Sequence, residues 1–172
     1  MKKILAITFL FSLLLIGGIY FSKTNSNEDY LRIHIRANSN LYIDQNVKYK
    51  VKDCVVEALI PYISECETKQ ECEDMILSKL DFIESVANNV LKANGFSYTA
   101  KASVRNEEFP TRQYDELVLE SGFYDALILE LGTGEGDNWW CVVYPPLCFV
   151  NGGAENVVYK SKILEIIKNV LG

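Results

Sequence analysis

The sequence has little of what catalytic, metal-binding and nucleic-acid-binding proteins use. Its one histidine is His34, and its closest cysteines, Cys66 and Cys72, lie farther apart than zinc ligands usually do. Basic residues are in the minority, with 17 Lys and Arg against 23 Asp and Glu. Because phosphate groups are bound by clustered Lys and Arg, this balance argues against nucleic acid or an anionic membrane surface as the main partner. We predict no bound metal and no cofactor.

A phosphate-binding loop is also missing. The glycine-rich stretch Gly132–Gly136 precedes a predicted strand, whereas a phosphate-binding fingerprint requires a helix there. Glu135 and Asp137 would repel a phosphate. The stretch therefore predicts a hairpin turn that needs positive φ. After residue 30 the sequence has no internal repeat and no low-complexity segment.

The first part of the chain is typical of an export segment. Residues 1–23 begin with Lys2 and Lys3 and continue in an uncharged apolar run, and residues 24–29 are a polar spacer. This order predicts a signal peptide or an N-terminal membrane anchor, with the remaining chain secreted or held outside the membrane. No A-x-A-like cleavage site is present, so both alternatives stay open. Residues 30–172 are then the exported domain, which contacts a membrane only through the N-terminal segment.

The exported domain is acidic and long enough for one hydrophobic core. After residue 23 the chain holds 14 basic against 23 acidic residues, a net charge of −9. A domain of roughly 140 residues buries a core of ordinary size. We expect one folded unit rather than two.

Hydrophobic periodicity predicts strands and helices in separate runs. Alternation over residues 30–37 predicts a strand with one buried face and a polar face that carries Arg32, His34 and Arg36. Helical spacing predicts helices over residues 47–62, 68–92 and 154–171. Further strands are predicted over residues 96–104, 117–119, 123–131 and 139–144, with a loop at 105–114. Segregated runs predict a single α+β domain with a mostly antiparallel sheet and helices packed on one face.

Two strand pairings follow from the turns between these segments. Gly122 predicts a hairpin that joins the strands at 117–119 and 123–131. The glycine-rich turn predicts that the strand at 139–144 returns antiparallel beside residues 123–131.

The most apolar stretch of the domain is Asn138–Val150, which reads NWWCVVYPPLCFV. Its first half predicts a buried strand, and Pro145 and Pro146 must end that strand because neither donates a backbone N–H. Neighbouring side chains of a strand face opposite sides. One of Trp139 and Trp140 therefore belongs to the core, and the other must be covered by a helix, a loop or another protein.

The five cysteines of an exported domain indicate disulfides. The local candidates are Cys141 with Cys148 and Cys66 with Cys72. Cys54 falls within a helical pattern and is predicted to be a small buried apolar residue. Sequence does not give connectivity, so a fully reduced domain remains an alternative.

Cys141 and His34 offer one catalytic hypothesis, an exported thiol-dependent hydrolase. Its apolar neighbours disfavour the thiolate and make Cys141 a poor nucleophile. His34 lies between Arg32 and Arg36 on the polar face of its strand and is predicted to be solvated. The sequence therefore gives no convincing catalytic residue, and the hydrolase is kept only as the alternative function.

Several motifs of the domain resemble the stage II sporulation protein R family. They are IHIRANS at 33–39, FPT at 109–111, LVLESGFYDAL at 117–127 and GEGDNWWCVVYPPLCF at 134–149. The resemblance implies export from the forespore of an endospore-forming bacterium into the intermembrane space. There the protein would activate a membrane-embedded aspartic protease of the mother cell, which processes the precursor of sporulation sigma factor E. It implies a signal rather than an enzyme.

The motifs also supply candidate partner-binding residues. They belong to the first strand and its turn, and to the aromatic stretch with its proline bend: His34, Arg36, Asn38, Asn138, Trp139, Trp140, Pro145 and Pro146. Tryptophan is a favoured anchor of protein interfaces. The partner implied by the resemblance is the membrane-embedded sporulation protease, and we expect no nucleic acid.

Overall fold

The structure is a computed structural model that describes residues 27–114, 117–149 and 157–171. The predicted export segment at residues 1–23 lies outside the described residues, as do residues 24–26 of the spacer and the first three residues of the predicted last helix. Within the described ranges, no helix is long and apolar enough to cross a membrane.

The described residues form six strands and four α-helices. In chain order these are β1 (Leu31–Arg36), α1 (Tyr42–Ile63), α2 (Lys69–Ser78), α3 (Leu80–Ala93), β2 (Ala100–Phe109), β3 (Arg112–Tyr114), β4 (Leu117–Leu119), β5 (Gly122–Leu131), β6 (Asn138–Tyr144) and α4 (Val157–Leu171). The helix predicted at 68–92 is in fact two helices. At Lys79 the backbone leaves the α-helical region (φ −114°, ψ 8°), and its N–H donates to the Ile76 carbonyl in a tighter turn.

A four-stranded sheet with the order β2-β5-β1-β6 forms the centre of the domain. β2 pairs antiparallel with β5, β6 pairs antiparallel with β1, and β1 lies parallel to β5. The predicted α+β class with a mostly antiparallel sheet is confirmed. The predicted pairing of β6 with β5 is wrong, because β1 is inserted between them. Five of the six residues of β1 are buried, so an interior position, covered on both faces, suits this strand.

The predicted hairpin around Gly122 is also wrong. β4 pairs with β3 in a separate two-stranded sheet, and β5 pairs with β2 from the Phe109–Gly122 pair onward. Much of the loop predicted at 105–114 is therefore strand. The chain leaves β2 at Pro110, which has no N–H to donate, forms the small β3–β4 sheet and returns as β5.

The two faces of the four-stranded sheet have different covers. On the helix face, α1, α2 and α3 pack over alternate strand residues such as Leu31, Ile33 and Ile35, so the prediction of helices on one face is confirmed. The opposite face, called the second face below, carries its own buried apolar cluster. Its members are Tyr30, Phe109, Leu119, Tyr124, Ala126, Ile128 and Val142. Leu119 of the β3–β4 sheet helps to cover it.

Candidate functional site

β1 places Arg32, His34 and Arg36 on the second face, where the sequence predicted solvated side chains. The structure corrects this prediction for the first two, because Arg32 is 0% and His34 is 1% exposed. The cover comes from Phe109 at the end of β2 and Tyr114 of β3, neither of which adjoins β1 in the chain. The second face therefore buries charged and aromatic groups together.

Arg32 is the most deeply enclosed charge. One terminal nitrogen donates to the Tyr114 hydroxyl at 2.8 Å. The guanidinium carbon lies 4.3 Å from the ring centroid of Phe109 and 4.8 Å from that of Tyr124. Its Nε and Nη1 have no hydrogen-bond partner among the described residues, so aromatic faces supply much of the stabilisation that water would give.

His34 is held by one hydrogen bond and one stacked ring. Its Nδ1 lies 2.9 Å from Glu107 Oε2, and its ring lies 3.7 Å from that of Trp140 at an interplanar angle of 19°. Burial lowers the pKa of the imidazole below its ordinary value of 6.5, and outweighs Glu107 and Asn138, which favour the charged form. The neutral ring thus donates through Nδ1–H to the carboxylate, and the described residues offer Nε2 no hydrogen-bond partner of good geometry.

Arg36 lies at the rim, with its side chain 25% exposed, and links two carboxylates. It forms an ion pair with Glu107 and donates to Glu130 Oε1 at 2.8 Å. Arg105 donates to the same Glu130 oxygen at 2.9 Å. Burial raises the pKa of the Glu107 carboxyl, but the His34 hydrogen bond and the Arg36 charge outweigh burial and hold it below its ordinary value.

The cysteines separate into one disulfide and three free thiols. Cys141 is bonded to Cys148, as one of the local pairings predicted. Cys66 and Cys72 are buried free thiols, so their pairing is not present in the structure. Cys54 is exposed rather than buried, because the inward stripe of α1 passes through its neighbour Val55.

The disulfide removes the thiol that the hydrolase hypothesis requires. Cys141 is also 2% exposed and packs on the helix face, whereas His34 lies on the second face. A nucleophile and its base must come within hydrogen-bond reach, which two opposite faces of a sheet prevent. The hypothesis of a Cys141–His34 hydrolase is therefore wrong.

Three of the candidate partner-binding residues hold the fold together. Pro145 and Pro146 are buried at the end of β6. The Asn38 amide donates to the buried Asp44 carboxylate at 3.0 Å, and its oxygen accepts from the Thr133 backbone at 3.0 Å. Gly132 (φ +60°) adjoins this contact, and a Cβ there would overlap the Asn38 side chain.

The two tryptophans face opposite sides of the sheet, as the sequence predicts. Trp140 lies on the second face against His34 and Phe109. Trp139 lies on the helix face, with Lys52 Nζ 5.7 Å from its ring centroid. Both are partly exposed, and Asn138 at the start of β6 is exposed. We call Asn138, Trp139 and Trp140 the β6 corner.

An exposed apolar surface that was not predicted from the sequence lies at the start of α1. Leu41, Tyr42, Ile43 and Tyr49 are 66%, 85%, 57% and 50% exposed, and these four residues are called the α1 patch. The signal for it was present, since Tyr42 and Tyr49 lie seven residues apart and off the inward stripe of the helix.

The α1 patch adjoins the β6 corner. Asn40, which precedes the patch, accepts a hydrogen bond from the Asp137 backbone N–H at 2.6 Å. Lys48 of α1 donates to the Asp137 carbonyl at 2.9 Å, and its Nζ lies 4.9 Å from the Tyr49 ring centroid. These bonds bring the tyrosines of α1 and the tryptophans of β6 to one end of the domain. No group of three or more His, Cys, Asp or Glu side chains in the described part of the chain is placed to hold a metal ion.

Fold and site together define a small α+β domain with one disulfide, a tightly packed charged–aromatic face and an exposed aromatic end. The family model of stage II sporulation protein R matches residues 27–154, and the chain belongs to this family. It is 33% identical over 121 residues to stage II sporulation protein R of Bacillus subtilis (strain 168). The match covers 70% of this chain and 54% of that relative, so the chain spans about half the relative's length. No solved structure shows a significant match.

Proposed function

We propose that this protein is an exported sporulation signal that activates a membrane-embedded aspartic protease. The protease then processes the precursor of sporulation sigma factor E. The site of action is the intermembrane space between forespore and mother cell. The observation that carries the proposal is the family match over residues 27–154, which takes in most of the described domain.

Two features support export. The first is the N-terminal sequence, in which positive charge precedes a long uncharged apolar run. The second is the Cys141–Cys148 disulfide, a bond that persists in oxidising compartments and is rare in the cytosol. Both favour a domain that works outside the cytoplasm in which it was made.

The contact surface that we propose for the protease combines the α1 patch with the β6 corner. Contiguous exposed apolar groups mark interaction sites, and Tyr and Trp are favoured anchors there. Tyr42 is 85% exposed, so it contributes little to the core and a partner could bury most of it. The second face also fixes part of this surface, because the Trp140 ring stacks on the buried ring of His34.

Deletion of the gene in the native spore-forming host tests the proposal. We expect the sigma factor precursor to remain unprocessed in an immunoblot of sporulating cells, and a wild-type copy to restore processing. A copy that lacks residues 1–23 should fail to restore it while accumulating as folded protein. Normal processing in the deletion strain would overturn the proposed function, and full rescue by the truncated copy would overturn export.

A further inference from the structure

The proposed function leaves one pair of cysteines, Cys66 and Cys72, unused. Cys66 lies in the loop after α1, and Cys72 lies near the start of α2. They are 4% and 0% exposed, and their side chains are joined by a hydrogen bond. Cys66 Sγ also lies 3.5 Å from the Tyr62 carbonyl oxygen, to which it donates. Two neighbouring thiols are therefore enclosed in one packed region.

The two thiols differ in access. Cys66 lines a cavity of about 510 Å³ between the α1–α2 loop and the end of α4, where Glu165 and Val170 form part of the wall. Cys72 does not line this cavity and packs wholly within the helix-face core. Any access to the pair from this cavity is therefore through Cys66 and not through Cys72.

They also differ in acidity. The Cys72 thiol donates to the Cys66 sulfur, and this hydrogen bond lowers the pKa of Cys66. The same bond, together with burial, raises the pKa of Cys72. Cys66 lines the cavity and has a lower pKa than its fully enclosed neighbour Cys72, which is the order expected of an attacking and a resolving cysteine.

We propose that Cys66 and Cys72 are a redox site, at which Cys66 attacks a disulfide of a small thiol compound or of a thiol–disulfide oxidoreductase. The Cys66 thiolate forms a mixed disulfide and releases one thiolate, which takes up the proton that Cys66 lost. Cys72 then loses its proton and attacks the Cys66 sulfur, and the second thiol leaves. The domain loses two electrons and two protons, and the incoming disulfide becomes two thiols.

A disulfide between Cys66 and Cys72 would close a short loop next to the end of β6. The loop carbonyl of Glu67 accepts a hydrogen bond from the Tyr144 hydroxyl at 2.6 Å, and Tyr144 is the last residue of β6. The Cys141–Cys148 disulfide bridges the bend that follows. Oxidation of Cys66 and Cys72 would thus fix the same end of the sheet from the helix side. This inference concerns the thiols alone and does not depend on the protease.

Peptide mapping of the purified full-length protein tests the proposal. The protein is oxidised with oxidised glutathione and blocked with N-ethylmaleimide. It is then digested with trypsin, which cuts after Lys69 between Cys66 and Cys72, and with chymotrypsin, which cuts after Tyr62 between Cys54 and Cys66. We expect the Cys66 and Cys72 peptides to be joined, and Cys54, which is exposed, not to enter the link. Separate Cys66 and Cys72 peptides after oxidation, or Cys66 linked to Cys54, would overturn the proposal.

Single variants test the order of attack. With Cys72→Ser, Cys66 should stop at the mixed disulfide with glutathione, whereas with Cys66→Ser, Cys72 should remain unmodified. Cys54→Ser is the matched control and should form the internal link as the wild type does. In the reduced wild type, N-ethylmaleimide should modify Cys66 at least about tenfold faster than Cys72. Equal rates would contradict the assigned order, and the wild-type map stands even if a variant fails to fold.

Discussion

The two faces of β1 are buried almost equally, but different chemistry fills them. On the helix face, Leu31, Ile33 and Ile35 are 0% exposed among aliphatic side chains of three helices. On the second face, Arg32 and His34 are 0% and 1% exposed, and aromatic rings and one carboxylate enclose them. One strand thus contributes to two cores. The core on the helix face is stabilised mainly by close apolar packing, and the core on the second face by specific hydrogen bonds and aromatic contacts to charged groups.

This difference decides what each face tolerates. An aliphatic core loses stability in proportion to the cavity that a smaller residue leaves. A core of charged and polar groups loses most when one partner is removed, because the remaining group stays buried without compensation. We therefore expect volume-conserving changes to be mild on the helix face and costly on the second face.

Phe109 gives the largest expected effect. Its ring lies against Arg32, Trp140 and Tyr124, with centroid distances of 4.3, 4.8 and 5.8 Å. We expect Phe109→Ala to lower the free energy of unfolding by about 3–5 kcal/mol in urea titrations, because it leaves a cavity and uncovers a buried charge. Phe109→Leu should still cost about 1–2 kcal/mol through the lost cation–π contact.

The matched control for Phe109 is Leu129 on the helix face, which is 0% exposed. Leu129→Ala should cost about 2–5 kcal/mol, and Leu129→Met should recover most of that loss. If Phe109→Leu lowers the free energy of unfolding no more than Leu129→Met does, the second face is stabilised by apolar packing alone. The two faces of β1 would then not differ in the way proposed.

Most of what could be read from the sequence is local. Alternation along β1, the inward stripe of α1 and the prolines after β6 each act within a few residues, and the structure contains the strand, the helix and the strand end that they predict. The opposite faces of Trp139 and Trp140 follow from strand geometry alone. A short cysteine interval was a weaker guide, because Cys141 and Cys148 are bonded whereas Cys66 and Cys72, which are closer in sequence, are free.

The burial of side chains by residues distant in the sequence could not be predicted. The solvated His34 was a reasonable expectation for a histidine between two arginines, but Glu107 and Phe109 come from more than seventy residues later. The insertion of β1 between β5 and β6 depends on how the whole sheet fills its two faces. No local sequence pattern indicates this strand order. The tyrosines of the α1 patch likewise resemble ordinary surface residues until the position of the helix in the fold is known.

The pH dependence of stability gives an effect of intermediate size. Because burial holds the folded-state pKa of His34 below the ordinary 6.5, the unfolded chain binds more protons as the pH falls through that value. The contribution of His34 is therefore complete above pH 6.5 and decreases as the pH falls toward the lower folded-state pKa. We expect the free energy of unfolding to decrease from pH 7.5 to 5.5, measured in urea titrations at each pH.

His34→Gln is the matched variant for this measurement, because glutamine can still donate to Glu107 but does not titrate. We expect the variant to be less stable at pH 7.5 and nearly independent of pH down to 5.5. The carboxylates whose pKa values are lowered, such as Glu107 and Asp44, affect stability only at more acidic pH. An unchanged slope in His34→Gln would show that His34 does not titrate with folding, and that the second face tolerates its charge.

The smallest expected effect on stability, and the sharpest on function, comes from the α1 patch. Tyr42 and Tyr49 are exposed, and serine has a similar helix propensity to tyrosine, so Tyr42→Ser with Tyr49→Ser should change the free energy of unfolding by less than about 1 kcal/mol. Processing of the sigma factor precursor should nevertheless fall in sporulating cells, because interface anchors of this kind carry much of the binding energy.

Val118→Ser is the control, since this residue is 47% exposed on the β3–β4 sheet outside the second face. Loss of processing in Val118→Ser but not in the tyrosine variant would place the contact on that side of the domain instead.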